Sequence, residues 1–499
     1  MTDLHKKLNI SKFKILFLFI LLGVIIYFPL FLHLDRFVVR CFDESRLAIN
    51  ALEMHLSGYS LATTFNGVDD LWNTKPPLLI LMQCFFMKLV GINELAVRLP
   101  SALAGLLTCI VIILFFRGKN GNLLTGIFSS LVLITSEGYI AMHAARTGDY
   151  DALLTLFMIS YLLMFYQIFR AESSGKRNAY IFFFYLFVFL SIMTKSVQGI
   201  MFLPGILLYY VVFEKKTDKK LFLNLVIGFI ILIIAIGGYY ITRNYITKGY
   251  IQAVLENEVG GRYLSTIEGH KGNFFKYINL IIFEEFSYWI TFSLFGIFIS
   301  IFSKDEKIKK IGLLISITLL TYLVAISISK TKCEQYDVPL FPLFAIMAGI
   351  CLNFIFESVL ENVNAVNKII CLILFVFLLF YYPYSRIIKK VYQNEDSNFY
   401  DITYFLKSKI QKNENIGNCI FISDNYNGNN LFYIKILNLK GNNIKDMPYT
   451  KENEKQSFKI NDKIISYKNY ISDNIQSKYK VTVLEKYKEV ILFRIDDIK

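Results

Sequence analysis

The chain has 499 residues, of which 55% are hydrophobic and 18% charged, where soluble domains average about 45–50% apolar and about 25% charged. With 46 Phe and 32 Tyr against 9 Pro, it is not a disordered chain. The net charge of +14 sits in short basic clusters between long apolar runs, the pattern of a polytopic membrane protein, and excludes a nucleic-acid partner.

In chain order, Lys6, Lys7, Lys12 and Lys14 precede an apolar run over 15–34. About 20 residues suffice to span, and no small-x-small cleavage site follows, so the run predicts an uncleaved first transmembrane helix. Further runs at 98–116, 122–142, 152–169, 179–194, 197–213, 221–242, 287–303, 311–329, 338–358 and 369–386 bring the prediction to 11 spans, with 11–13 as the range. The run 77–91, opened by Pro76-Pro77, is too short to span and predicts an interfacial helix. With the N-terminus inside, the inner segments carry 18 basic residues, among them Lys119, Lys215 and Lys216, and the short outer loops carry 4. That asymmetry favours 11 spans and a cytoplasmic N-terminus. Two long outer segments, 35–97 and 243–286, carry apolar and aromatic residues at helical spacing and are expected to be ordered.

Composition changes near residue 390. Residues 391–499 are polar and lack a spanning run. Short β-rich runs at 419–423, 480–484 and 490–494, with a helical pattern at 401–410, predict a small α/β domain outside the cytoplasm. The fold class is therefore an all-α polytopic membrane domain (1–390) with interfacial helices, plus a small C-terminal α/β domain (391–499).

Ionisable residues at membrane depth are expensive and mark function. Four clusters fall at the outer ends of the predicted spans. They are Asp43-Glu44-Ser45-Arg46, then Asn73-Thr74-Lys75-Pro76-Pro77, then Arg146-Thr147-Gly148-Asp149-Tyr150-Asp151, and Ser329-Lys330-Thr331-Lys332 with Tyr336. Lys195, at a tight turn, joins them. Each has a plainer reading as a helix start, a cap or a snorkelling lysine. Together they gather carboxylates and cations on one face. Cations there suit a phosphate, and a neighbouring carboxylate suits a general base toward a hydroxyl. The seven cysteines stand singly without a CxxC pair, which excludes a zinc ribbon.

The order Asp43-Glu44-Ser45-Arg46, Gly58, Asn66-Gly67, Lys75-Pro76-Pro77, Asn93-Glu94 and Arg98-Leu99-Pro100-Ser101-Ala102 resembles polytopic glycosyltransferases of the C superfamily. The resemblance is to the aminoarabinose transferase to lipid A and the protein O-mannosyltransferases. Arg146 to Phe157, Thr194-Lys195 and Ser329 to Pro342 extend it over the first 390 residues. It implies a polyprenyl-phosphate-linked sugar donor, inversion at the anomeric carbon, and a lipid A, other glycan or protein acceptor at the outer face of a bacterial inner membrane. Asp43 matches the acidic residue of the first outer loop, the expected base, with Glu44 and Arg46 in the same motif. Asp151 matches the second acidic position, with Asp149 as its alternative. Lys75, Arg146, Lys195, Lys332 and Tyr336 are the expected donor-phosphate residues. Some members hold a divalent metal with a loop histidine, and His270 stands in that place. Two departures are visible. Thr74 replaces a glutamate before Lys-Pro-Pro, and the large inserted domain of the O-mannosyltransferases is absent.

A transporter or lipid flippase is the alternative. It would place charges at the bilayer midplane on broken helices, whereas these spans are almost free of charge. A non-catalytic scaffold leaves the four clusters unexplained.

Overall fold

The computed structural model describes residues 12–117, 121–140, 143–214, 218–266, 269–360, 365–392, 397–423, 426–449 and 458–499. Lys6, Lys7, Lys119, Lys215 and Lys216, counted above for topology, lie outside the described residues.

Every predicted apolar run carries helix, but not every one is a full span. Among the described residues, seven helices are long and apolar enough to cross a membrane. An eighth span results if a pair bent by 112° (Lys276–Glu285 with Ile290–Phe302) counts as one. The helix Lys12–Phe31 is 20 residues long, and the remaining apolar helices are shorter: Leu78–Val90, Leu123–Ile134 and Leu203–Phe213. The expected span at 122–142 breaks at Thr135-Ser136. The Thr135 hydroxyl donates to the Leu131 carbonyl at 2.6 Å and the Ser136 hydroxyl to that of Leu133 at 2.7 Å, side-chain bonds that compete with the helix ladder. The Trp289 indole N–H donates to the Thr135 Oγ1 and holds the break.

The helices that frame the site are α1 (Lys12–Phe31), α2 (Asp43–Ser57), α3 (Leu78–Val90), α4 (Glu94–Arg117), α5 (Leu123–Ile134), α6 (Glu137–Ile140), α7 (Asp151–Ile168) and α8 (Ser174–Lys195). They continue as α9 (Leu203–Phe213), α10 (Lys219–Ile246), α11 (Tyr250–Val254), α12 (Lys276–Leu280), α13 (Ile290–Phe302), α14 (Glu306–Ile328), α15 (Leu340–Leu360) and α16 (Ala365–Tyr392). Helix α15 is central, and residues 340–352 are buried throughout. Small residues let it approach its neighbours, so that close packing replaces the hydrophobic drive that a lipid solvent does not supply. A Cβ on Gly296 would lie 1.8 Å from the Met347 carbonyl oxygen, and one on Gly349 would lie 2.1 Å from Ser129 Oγ. Helix α10 is the opposite case: only 11% of its apolar window is buried, which suits a lipid-facing surface.

The first long polar segment, 35–97, is ordered, as expected. A hairpin of β1 (Thr64–Phe65) and β2 (Val68–Asp69) follows α2. Its Asn66-Gly67 turn has φ of 56° and 79°, the paired positive values that an Asn-Gly hairpin turn requires.

The C-terminal domain contains α17 (Asp401–Gln411), β3 (Asn418–Ser423), α18 (Gly428–Leu439), β4 (Asn443–Pro448), β5 (Lys463–Ser466), α19 (Asn469–Lys478), β6 (Tyr479–Tyr487) and β7 (Val490–Ile498). Its sheet runs β4-β3-β5-β7-β6. Strand β3 pairs parallel with β4 and β5, and β7 pairs antiparallel with β5 and β6. Helix α18 docks on α2. Glu94 accepts from Tyr433 Oη at 2.5 Å and pairs with Lys407 at 2.9 Å, and Lys435 pairs with Glu53 at 3.0 Å.

Candidate active site

Phe42 and Asp43 open α2 on an unusual backbone. Phe42 has φ 67° and ψ −115°, a conformation that costs a bulky residue about 1–3 kcal/mol and clusters at functional sites. The next residue, Asp43, is exposed, and Gln335 Nε2 donates to its Oδ2 at 3.2 Å.

Glu44 points the other way. It is 1% exposed and accepts from Arg98 through Nε at 2.7 Å and the Nη2 nitrogen at 2.9 Å. The backbone N–H groups of Arg40 and Gly148 complete its shell at 2.7 and 2.8 Å. Burial alone would raise the Glu44 carboxyl, but Arg98 and these N–H groups hold it below the usual carboxylate range. Arg98 also donates to the carbonyls of Leu34, Phe37 and Val38. Glu44 is thus a staple between the 34–44 segment, Arg98 and the 146–151 turn, with no face on the cavity, which revises its expected catalytic role.

Arg46 is also committed. It forms a bidentate pair with Asp70 at 2.9 and 2.6 Å and lies 4.6 Å over the Phe65 ring. Burial opposes ionisation of Asp70, and Arg46 reverses that, holding its carboxyl low. Arg46 still lines the cavity but gives its best donors to Asp70.

A polar cavity of about 40 Å³ gathers Asp43, Arg46, Trp72, Asn73, Lys75, Asp149, Tyr150, Asp151, Lys195, Gln335 and Tyr336. It adjoins a second cavity that shares Lys75, Lys195 and Tyr336 and adds Val197, Met201, Glu258 and Ile326. The expected residues Asp43, Arg46, Lys75, Asp149, Asp151, Lys195 and Tyr336 therefore converge. Lys195 Nζ pairs with Asp151 Oδ1 at 2.5 Å and stands 5.4 Å from the Tyr336 ring centre. Lys75 Nζ is 3.6 Å from Glu258 Oε1, which also accepts from Thr74 Oγ1 at 2.9 Å. A carboxylate from the 243–286 segment thus stands beside Thr74, where the transferases that the sequence resembles carry a glutamate.

Three expected residues are placed elsewhere. Arg146 donates to the carbonyls of Pro29 and Leu32 at 2.8 and 2.6 Å, and burial beside Arg98 lowers its pKa to about 10. It closes the end of α1 instead of facing the donor cavity. Lys332 is 3% exposed and gives its ammonium to the carbonyls of Ser327 and Ser329, both at 2.7 Å. It caps the C-terminus of α14, where unsatisfied carbonyls attract a cation. His270 is exposed, and its backbone carbonyl accepts from the Lys332 N–H at 3.0 Å.

The histidine that joins the carboxylates is His143. Its Nδ1 is 3.1 Å from Asp149 Oδ2. Ligand atoms of Asp43, His143 and Asp149 all lie within 4.8 Å of one another, the one such group among the described residues. Asp149 is 3% exposed, and its Oδ1 is buried without a hydrogen-bond partner. An orphaned carboxylate oxygen is costly unless something cationic meets it, so two carboxylates and an imidazole fit a divalent cation. Burial would depress the His143 imidazole, but Asp149, with Asp43 and Asp151 beyond it, raises its pKa to about 9. The sequence signal for His143 was a polar residue at the end of the 122–142 run, just before the Arg146 cluster.

Comparison with known proteins supports the motif reading. Residues 74–239 match the family model described as dolichyl-phosphate-mannose-protein mannosyltransferase. A protein of Aquifex aeolicus of uncharacterised function is 24% identical over 340 residues, 68% of this chain and 64% of that protein. YkcB of Bacillus subtilis, provisionally named a mannosyltransferase, is 30% identical over 169 residues, 34% of this chain and 23% of that protein. The matches thus span less than two thirds of these relatives' length. The crystal structure of ArnT from Cupriavidus metallidurans, bound to undecaprenyl phosphate, superimposes with a TM-score of 0.73 at 15% identity, covering 97% of this chain and 98% of that one. The chain is a polytopic membrane protein with the fold of the ArnT structure, and it resembles the C-superfamily membrane glycosyltransferases, as its motifs predict.

Proposed function

We propose that the protein transfers a sugar, with inversion, from a polyprenyl-phosphate-linked donor to an acceptor at the outer face of a bacterial inner membrane. In this reading the N-terminus is cytoplasmic and the C-terminal domain periplasmic. The observation that carries the reading is the meeting of Asp43, Lys75, Asp151 and Lys195 around one cavity, from four separate segments. The ArnT structure that shares the fold holds undecaprenyl phosphate, which supports a donor of that lipid class.

The roles follow from placement. Lys75 and Lys195 face both cavities and are placed to hold the donor phosphate by charge-assisted hydrogen bonds. The leaving group is then an anion stabilised by fixed cations, which needs no proton. Asp43, exposed at the mouth, accepts the proton of an acceptor hydroxyl. Asp151 holds Lys195, and Asp70 holds Arg46, so both cations are aimed before substrate arrives. Asp43, His143 and Asp149 are the residues that would hold a divalent cation. When bound, such an ion would supply Lewis-acid stabilisation of negative charge.

The test uses membranes carrying wild type or Asp43→Asn and labelled polyprenyl-phosphate sugars. Label should enter lipid, glycan or protein fractions with wild type only, at equal expression. Full activity in Asp43→Asn removes the base assignment.

A further inference from the structure

We propose that the acceptor presents a sugar ring that seats on Phe42, on an aromatic stack completed by Tyr426 of the C-terminal domain. This rests on the transferase reading above and names the acceptor class for that same site.

The cavity sets the problem. Its volume of about 40 Å³ is far below the ~300 Å³ of a pocket that encloses a small ligand. An acceptor ring therefore lies at the mouth, where Asp43 and Trp72 are exposed. Phe42 adjoins Asp43 and is 66% exposed. Two features of Phe42 oppose stability. An apolar ring stands in solvent, and its backbone sits at φ 67°, where glycine is at ease and phenylalanine is not.

The ring is nevertheless held firmly. It stacks on Tyr426 at 5.5 Å with the planes 12° apart. Tyr426 also stacks with Phe65 at 6.2 Å and 19°, and the Arg46 guanidinium lies over Phe65. The Tyr426 hydroxyl donates to the Phe42 carbonyl at 3.3 Å and meets Ser45 Oγ at 3.3 Å. Ser45 Oγ itself donates to the Phe42 carbonyl at 2.9 Å. Close approach here needs a glycine: a Cβ on Gly428 would lie 2.5 Å from the Tyr426 hydroxyl and 2.8 Å from Ser45 Oγ. The first outer loop and the C-terminal domain thus fix one exposed ring beside one exposed carboxylate.

A pyranose matches that pairing. Its C–H face rests on the electron-rich face of an aromatic ring, and its hydroxyls reach past the ring edge toward Asp43 and Gln335. A phosphate finds no favourable contact on the ring face itself. Of the cations lining the cavity, Arg46 is bound to Asp70, while Lys75 and Lys195 stand on the donor side. In the reaction, the acceptor oxygen bonds to the donor's anomeric carbon as the carbon–oxygen bond to phosphate breaks. The hydroxyl proton passes to Asp43, and the electron pair leaves with the polyprenyl phosphate.

The test uses the full-length protein in membranes, labelled polyprenyl-phosphate sugars, and three sets of acceptor probes: methyl glycosides, octyl glycosides and octyl phosphate. Transfer to glycosides is expected. Uptake by methyl glycosides marks a free glycan as acceptor, and uptake by octyl glycosides alone marks a lipid-linked one. Phe42→Gly should raise the acceptor KM by about tenfold and leave the donor KM within about twofold, as a lost ring contact predicts. Its melting temperature should hold or rise, because glycine relieves the backbone. Phe42→Tyr should restore the acceptor KM, and Tyr426→Leu should weaken it in the same direction as Phe42→Gly. A Phe42→Gly enzyme with a wild-type acceptor KM overturns the proposal. So does transfer to octyl phosphate, or to membrane protein alone, in place of glycosides. Absence of transfer by wild type from every donor, to probes and native membrane alike, overturns the transferase reading and this inference with it.

Discussion

Lys195 Nζ meets Asp151 Oδ1 at 2.5 Å, joining the last residue of α8 to the first of α7 with both side chains buried. Removing one partner leaves an uncompensated buried charge, at about 3–5 kcal/mol. Lys195→Met should therefore lower the melting temperature markedly and abolish transfer. The double variant Asp151→Asn with Lys195→Met should recover most of the stability and none of the transfer. Recovery of both would show that the pair is scaffold alone. The check is thermal unfolding in detergent beside a transfer assay.

Of the three lysines that the resemblance assigned to the donor phosphate, Lys75 and Lys332 should separate. Lys75 faces both cavities, and a charge-assisted contact contributes about 1.5–3 kcal/mol. Lys75→Met should raise the donor KM by roughly 10–100-fold, the same energy as an affinity ratio. Lys332→Met removes a cation from a helix C-terminus, so it should cost about 0.3–1 kcal/mol of stability with the donor KM nearly unchanged. Initial rates against donor concentration, with melting curves, distinguish the two.

Glu44 gives an acid-stability signature. Its folded carboxyl lies below the usual range because Arg98 and two backbone N–H groups favour the charged form. A lowered folded value contributes stability that is complete above the unfolded pKa of about 4.3 and lost as pH falls through the folded value. Wild-type melting temperature should therefore drop as pH falls below about 4.5. Glu44→Gln should start several degrees lower and lose less over the same window. Equal slopes in the two proteins would contradict the staple role.

Metal dependence is checked by chelation. Activity should fall with a chelator and return with added Mg²⁺ or Mn²⁺. His143→Ala should need at least about tenfold more ion for half-maximal activity, as loss of one ligand predicts. His270→Ala should behave as wild type. The reverse result would move the ion to the second outer segment.

How much of this the sequence could show depends on the range of each contact. Asp43, Lys75, Asp149, Asp151, Lys195 and Tyr336 stood out as polar residues at the ends of apolar runs and meet around one cavity, but Arg146 and Lys332 stood out in the same way and close helix ends instead. That the runs 122–142 and 197–213 hold only shorter helices, Leu123–Ile134 and Leu203–Phe213, was not legible. Hydropathy cannot see Thr135 and Ser136 turning their hydroxyls back on the helix. The orientation of Lys332 was hidden for a similar reason, since its ammonium folds back on carbonyls 3 and 5 residues earlier. His143 was passed over for His270 because the turn that brings it to Asp149 lies past the helix break. In the C-terminal domain, strands β3, β6 and β7 and helix α17 stood out by pattern. Helices α18 and α19 and strands β4 and β5 did not, because their Asn- and Lys-rich stretches show weak periodicity. Tyr426 meets Phe42 across more than 380 residues, a contact that no local pattern encodes.

The most direct test of the whole account is the stoichiometry of one reaction with purified protein in vesicles. A defined polyprenyl-phosphate sugar and an acceptor are supplied, and mass spectrometry follows all species. The account predicts that polyprenyl phosphate and glycosylated acceptor appear in equal amounts with wild type, and that neither appears with Asp43→Asn. An intact donor that crosses the vesicle bilayer, with no glycosylated product, would contradict it and make the protein a transporter.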